Sequence, residues 1–218
     1  MSGEQPVVLI TGANRGLGSG LTQEYSQKGW KVIAAVRDPS TMTSVEGVCV
    51  VKLDAGELDD AKDAVQEMKE KYGINHIDVV IANSAVGSHS ESILDISPEE
   101  YTNHFKVNTR GVLLLYQATR DLLLRGKERK FVVISSILAQ LSRPWHKVGM
   151  VTYGTSKVAL NYLARGIHFE EPDLITFTLD PGHVDTRLGH KASEFLGYAP
   201  PRTVEETVRE SYHIRQLA

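Results

Sequence analysis

Tyr153 and Lys157 stand four residues apart and are the two side chains of this sequence best suited to moving a proton. On a helix that spacing sets phenol and ammonium one turn apart on one face. A phenol titrating at about 10 is a poor acid–base group at neutral pH. A neighbouring cation favours the phenolate and lowers that value, so the pair becomes a usable proton donor and acceptor. Three further stretches carry polar groups that a single crevice can collect. They are Ser135-Ser136 at the end of an apolar run, Asn108 within Val107-Asn108-Thr109-Arg110-Gly111, and Pro181-Gly182-His183-Val184-Asp185-Thr186 after another apolar run. Alone, each reads as a turn, a cap or a helix break. In this order, each beside an apolar run, they argue for one reaction site.

A second kind of chemistry is written near the start. Thr11-Gly12-Ala13-Asn14-Arg15-Gly16-Leu17-Gly18 lies between an apolar run and a helical pattern. Glycines let the chain turn sharply and let backbone amides approach a pyrophosphate. The helix N-terminus adds unpaired N–H groups and the positive end of its dipole. The spacing is Gly-x-x-x-Gly-x-Gly, distinct from the Gly-x-Gly-x-x-Gly dinucleotide fingerprint.

The elements that must position these groups follow from periodicity. Short apolar runs predict strands at 7–10, 31–36, 48–53, 77–82, 130–135 and 174–179. Helical patterns occupy 16–28, 57–72 and 151–170, with a last short helix from about Thr203. Ser97-Pro98-Glu99-Glu100 is a helix start, with a capping serine, proline at the first position and acids in the first turn. The helix that it opens runs towards Arg125 with a break near Gly111, and 189–201 reads as an irregular Gly/Pro-containing stretch. Strands alternating with helices imply a doubly wound parallel α/β sheet of about six strands with helices on both faces. In such sheets ligands bind beyond the carboxyl ends of the strands, and every motif above sits just after a strand or on the helix beside one.

The composition narrows the class. At 218 residues, the chain fits one domain spanning 1–218. A formal net charge of -3 and a pI near 6.2 exclude the basic footprint of a nucleic-acid binder. Cys49 is the single cysteine, so neither an intrachain disulfide nor a cysteine zinc site is expected, and a reducing, cytoplasmic setting follows. No signal peptide and no membrane span are read from the sequence. His168, His190 and His213 lack metal-ligand spacing, and no metal is expected.

The glycine loop, the Ala82-Asn83-Ser84-Ala85 turn, Asn108, Ser136, Tyr153-x-x-x-Lys157 and the Pro181–Thr186 stretch together resemble the short-chain dehydrogenase/reductase family, from Val7 to about Thr186. The resemblance implies a Rossmann-type fold and an oxidoreductase using a nicotinamide cofactor. It makes Tyr153 the acid/base at a substrate carbonyl, with Lys157 lowering its pKa and binding the nicotinamide ribose. Ser136 would hydrogen-bond the carbonyl oxygen, and Asn108 would hold a water for proton resupply. Gly12, Asn14, Arg15, Gly16, Leu17 and Gly18 would cradle the phosphates, Asp54 and Asn83 would meet the adenosine, and Pro181, Gly182, Val184 and Thr186 would face the nicotinamide.

An acid normally holds the 2′-hydroxyl at the end of the second strand. Here that position is Val36, followed by Arg37, and Arg15 lies in the glycine loop. Two arginines suit a 2′-phosphate, so NADP(H) is expected in preference to NAD(H). A one-residue shift would instead bring Asp38 to the ribose.

The sequence also departs from the family. Ala85 replaces the usual glycine after the fourth strand, and the stretch between Ser136 and Tyr153 is longer than usual, adding Trp145 and His146 as pocket residues or as an exposed loop. His183 reads as a second acid/base or a neutral pocket wall. Residues 187–218 are expected to form a substrate lid, with Phe195 as a contact, and a C-terminal helix; the family's final strand is absent from the pattern. The stretch from Tyr153 to Asp185 is most similar to a fungal subgroup, the norsolorinic acid ketoreductase-type enzymes, which reduce ketones on aromatic polyketides and so imply secondary metabolism. The expected activity is NADPH-dependent reduction of a hydrophobic ketone or aldehyde, or the reverse oxidation, by a homodimer without nucleic-acid or membrane partners. The alternatives are non-redox chemistry on the same scaffold and a cofactor-sensing module.

Overall fold

The computed structural model describes residues 5–89, 92–142 and 149–217. Six strands, β1 (Val7–Thr11), β2 (Lys31–Val36), β3 (Cys49–Lys52), β4 (Val79–Ala82), β5 (Lys130–Ile134) and β6 (Ile175–Leu179), form one parallel sheet. Its order is β3-β2-β1-β4-β5-β6. The order reverses between β1 and β4, which opens a crevice beyond their carboxyl ends. The helices are α1 (Gly16–Gln27), α2 (Asp60–Tyr72), α3 (Pro98–His104), α4 (Gly111–Leu123), α5 (Val151–Glu170), α6 (Arg187–Leu196) and α7 (Val204–Leu217).

The central strands are apolar throughout because both sheet faces are covered. Leu9, Ile33, Val80 and Phe131 meet Met68 of α2, Leu122 of α4 and Leu160 of α5 on one face. Val8, Ile10, Val32 and Ile81 meet Leu21 and Tyr25 of α1 and Tyr212 of α7 on the other. Successive strand residues point to opposite faces, so Val8 and Leu9 belong to different cores. Tyr25 packs edge-on against Trp30 and Tyr212, each 5.1 Å between centroids, and closes the α1–α7 side.

The expected fold class holds, and β2 and α5 have the bounds read from the sequence. Ser97 caps α3 as expected, its Oγ accepting Glu100 N at 3.0 Å. The break before Gly111 is a π-helical segment, Phe105–Arg110. Gly111 itself presses on the loop after β3, where a Cβ would lie 2.3 Å from Ala55 O. α2 begins at Asp60 rather than at Glu57. Asp54 Oδ1 accepts Gly56 N at 2.8 Å, a local turn that competes with helix.

The larger correction is α6, in a region read as irregular. Thr186 Oγ1 accepts Gly189 N at 3.1 Å and starts the helix, and Gly197 ends it at φ 72°. Ala85 does not disturb the turn after β4: outside glycine, Arg129 alone of the described residues has a positive φ. Among the described residues the sheet ends at β6.

Candidate active site

The glycine loop is bolted to its neighbours. Gly12 N donates to Ala35 O of β2 at 2.9 Å. Thr11 Oγ1 accepts Asn83 N and Ser84 N, each at 3.0 Å, and Asn83 Nδ2 donates to Thr11 O at 2.8 Å. Asn83 therefore braces β1 against β4. A Cβ on Gly18 would stand 2.2 Å from Gly12 O and 2.7 Å from Asn83 Nδ2, so only glycine fits. α1 starts after Arg15, which gives no side-chain cap, leaving the first-turn N–H groups beside Leu17 to the crevice. Thr186, from the segment after β6, sits against this loop, with its Cγ2 3.1 Å from where a Gly16 Cβ would lie.

At the edge of the loop, Val36 is buried while Arg15 and Arg37 are exposed. Asn14 Nδ2 donates to Thr41 Oγ1 at 2.9 Å. Asp38 Oδ1 accepts Ser40 Oγ at 2.7 Å and Ser40 N at 3.0 Å, and these bonds hold its carboxyl below the usual range. That carboxylate is engaged in a turn. Asp54, half-buried after β3, has Oδ1 on Gly56 N.

The candidate proton-moving groups gather at the end of β5 and the start of α5. Lys157 is 2% exposed, and its Nζ donates to Ile134 O at 2.7 Å. Tyr153, 7% exposed, has its ring centroid 5.6 Å from that ammonium. Burial pushes the phenol above its ordinary value; a hydrogen bond with Ser136 pulls it down and is outweighed, while Asp180 raises it further. Burial alone lowers Lys157 to about 7. Ser136 is half-buried and its Oγ accepts Leu138 N at 3.2 Å.

Asn108 is fully buried in the π-helical segment. Its Oδ1 accepts Val86 N at 2.8 Å, and its Nδ2 donates to Val86 O at 2.9 Å and to Ser156 Oγ at 3.0 Å. Ser156 Oγ in turn donates to Tyr153 O at 2.7 Å. Asn108 thus links the strand β4 turn to the first turns of α5.

The segment after β6 reaches both the glycine loop and α6. Pro181 is half-buried, Gly182 turns the chain at φ 77°, and Val184 is buried. His183 Nε2 lies 2.9 Å from Gly189 O and 3.2 Å from Ser193 Oγ, which ties the turn to α6. Its Nδ1 is buried without a hydrogen-bond partner among the described residues. Phe195 lies in α6. Trp145 and His146 fall outside the described residues.

Sequence reasoning missed His104, whose Nε2 meets Ser88 N at 3.1 Å, and Lys191, whose Nζ donates to Gly87 O at 3.1 Å. The four-residue step from His104 to Asn108 was the available signal. Among the described residues no three His, Cys, Asp or Glu side chains gather to hold a metal, and no helix is long and apolar enough to cross a membrane. An open depression of about 760 Å³, lined by Lys69, His76, Arg125 and Arg129, lies at the opposite end of the strands and includes none of the site residues.

Comparison with known proteins agrees with this fold. The family described as short chain dehydrogenase matches residues 6–196. Norsolorinic acid ketoreductase of Aspergillus parasiticus is 35% identical over 219 residues, 94% of this chain and 81% of that protein. A short chain dehydrogenase from Burkholderia cenocepacia, solved in complex with NADP, superposes with a TM-score of 0.80 at 26% identity, covering 96% of this chain and 83% of that one. Ligand-free aldohexose dehydrogenase of Thermoplasma acidophilum shares the fold, with a TM-score of 0.82 at 22% identity over 97% of this chain and 87% of that one. The chain belongs to the short-chain dehydrogenase/reductase family of oxidoreductases.

Proposed function

We propose that the chain is an NADPH-dependent carbonyl reductase for a hydrophobic ketone of polyketide-like character. The observation that carries this reading is the buried Lys157–Tyr153 pair with Ser136 on the phenol. The residues fit a nicotinamide dinucleotide. The uncapped N-terminus of α1 supplies N–H donors for its phosphates, and a Cβ would fill the cradle at Gly18. Lys157 has Ile134 O as its hydrogen-bond acceptor, and an ammonium carries three donors, so two remain for the ribose hydroxyls.

The bound cofactor supplies the hydride. Tyr153 gives its phenolic proton to the carbonyl oxygen, and Ser136 hydrogen-bonds that oxygen as charge develops. Lys157 holds the ribose and offsets the phenolate left behind. Asn108 keeps the water path that returns a proton to Lys157. Gly12, Asn14, Gly16, Leu17 and Gly18 hold the phosphates, and Asp54 and Asn83 hold the adenosine. Pro181, Gly182, Val184 and Thr186 hold the carboxamide end. Arg15 and Arg37 hold a 2′-phosphate; Asp38, engaged by Ser40, leaves them without a competing acid. His183 and α6 wall the substrate side, and Trp145, His146 and Phe195 are proposed as substrate contacts. The protein is proposed to act in the cytoplasm as a homodimer that pairs through α5.

The test is NADPH oxidation across aliphatic, aryl and polycyclic ketones, with Tyr153→Phe beside the wild type and cofactor affinity measured for both. Turnover is expected to vanish in the variant while NADPH still binds. Retained turnover would overturn the mechanism.

A further inference from the structure

Gly87 is a joint between three parts of the molecule. A Cβ there would lie 2.3 Å from Leu188 Cδ1 of α6, 3.4 Å from Met150 Cε and 3.5 Å from Tyr153 Cδ2. Its carbonyl accepts Lys191 Nζ of α6 at 3.1 Å. The segment after β4 therefore passes beside the Tyr153 ring and is bonded to α6 through Lys191. The other hydrogen bonds of α6 come from the turn just before it, through His183, Asp185 and Thr186, and none of its residues with a described side chain is fully buried.

Two side chains hold this joint from below. Asn108 clamps Val86 through both its N–H and its C=O. His104, 1% exposed at the end of α3, holds Ser88. The Ser88 backbone N–H can only donate, so His104 Nε2 must accept it. The proton of the neutral imidazole then sits on Nδ1, where Glu100 O stands 2.9 Å away to receive it. The two anchors grip the residues on either side of Gly87 and fix its position in two places.

We infer that His104 is a positioning residue: by holding Ser88 it seats Gly87, and through Gly87 it seats α6 beside Tyr153. The hydrogen bonds of the His104 ring go to Ser88 and to Glu100 O rather than to Ser136, Tyr153 or Lys157, and the segment 86–88 is the route this inference gives it to the site. The kinetic part of this inference rests on the reductase reading; the coupling between His104 and α6 does not.

The experiment compares His104→Leu, His104→Gln, Lys191→Met and the His104→Leu, Lys191→Met double variant. The first readout is hydrogen exchange of 84–89, 187–196 and the glycine loop 12–18 in the cofactor-free protein. His104→Leu is expected to speed exchange in both 84–89 and 187–196 and to leave 12–18 unchanged. The second readout is ketone turnover. Loss of lid seating is expected to raise the ketone KM by about 10-fold with a smaller change in kcat and an unchanged NADPH affinity. His104→Gln, whose amide oxygen reaches Ser88 N, is expected to restore wild-type behaviour. Because both single changes act through Gly87, the double variant is expected to be no worse than the worse single one. Faster exchange confined to 84–89, or single effects that multiply in the double variant, would overturn the inference. If the wild type reduces no ketone, the reductase reading fails while the exchange data still decide the coupling. Should His104→Leu not fold, His104→Asn, too short to reach Ser88, takes its place.

Discussion

Lys157 Nζ stands 5.6 Å from the centroid of the Tyr153 ring and donates to Ile134 O at 2.7 Å, in a region from which water is almost wholly excluded. Burial acts on the two groups in opposite senses, raising the phenol and lowering the ammonium to about 7. The cofactor-free protein thus holds a lysine whose charge is costly.

The consequence for stability has a definite sign. In the unfolded chain the lysine titrates near 10.5. Between about 7 and 10.5 the unfolded state binds a proton that the folded state has released, so stability rises with pH. Below that window the folded protein carries the buried cation and its full penalty. Lys157→Met is expected to lose turnover yet to be more stable than wild type near pH 6, by about 1–2 kcal/mol. The difference should shrink towards pH 10. Urea unfolding of the cofactor-free proteins across this range measures it; a variant less stable at pH 6 would mean that the site stabilises the ammonium beyond the Ile134 bond.

The glycines of the loop are not equivalent. Gly18 would place a Cβ 2.2 Å from the backbone oxygen of Gly12, whereas Gly29, at φ 78°, has nothing within 4 Å. Gly18→Ala must displace the loop itself. It is expected to cost about 1–3 kcal/mol of stability and to abolish NADPH binding. Gly29→Ala is expected to cost about 1 kcal/mol through its left-handed backbone and to bind normally. Thermal unfolding and fluorescence titration with NADPH separate the two.

Much of this site was legible because its residues declare themselves locally. The Tyr153–Lys157 step, the serine at the end of β5 and the strand–glycine–helix order each carry their meaning within a few residues. α6 was not legible because Gly189 reads as a helix breaker. In the fold it lies in the first turn, where a Cβ would stand 1.9 Å from Val184 O; the glycine is there for close packing. His104 was hidden for another reason: its partner Ser88 lies sixteen residues earlier, ahead of α3, a separation that no periodicity encodes. Asp38 shows the limit from the other side. A shift of one residue was enough to make it a ribose acid, and the Ser40 hydrogen bonds that engage it depend on a turn visible only in three dimensions.

That turn sharpens the expectation for cofactor choice. With Val36 buried and Asp38 engaged, the exposed charges left at the edge of the loop are Arg15 and Arg37. The Arg15→Ala, Arg37→Ala variant is expected to lose NADPH affinity by about 10-fold or more, since guanidinium–phosphate bonds are charge-assisted. NADH affinity should change little. Parallel titrations with both cofactors check this, and equal losses would remove the arginines from cofactor selection.

The outer face of α5 bears on assembly. Val112 and Leu115 of α4 point into the core and are not available for pairing. On α5 the outward positions are Val151, Tyr162 and Phe169, with Tyr162 79% and Phe169 70% exposed, and Arg165 lies over the Phe169 ring at 5.7 Å. Steps of three and four residues along α5 bring these positions to one stripe. Two such stripes facing each other would bury aromatic surface that is otherwise wet. The wild type is therefore expected to be a dimer at micromolar concentration. Tyr162→Asp combined with Phe169→Asp is expected to yield a monomer with its secondary structure intact. Light scattering and circular dichroism read both outcomes; a monomeric wild type would count against pairing through α5.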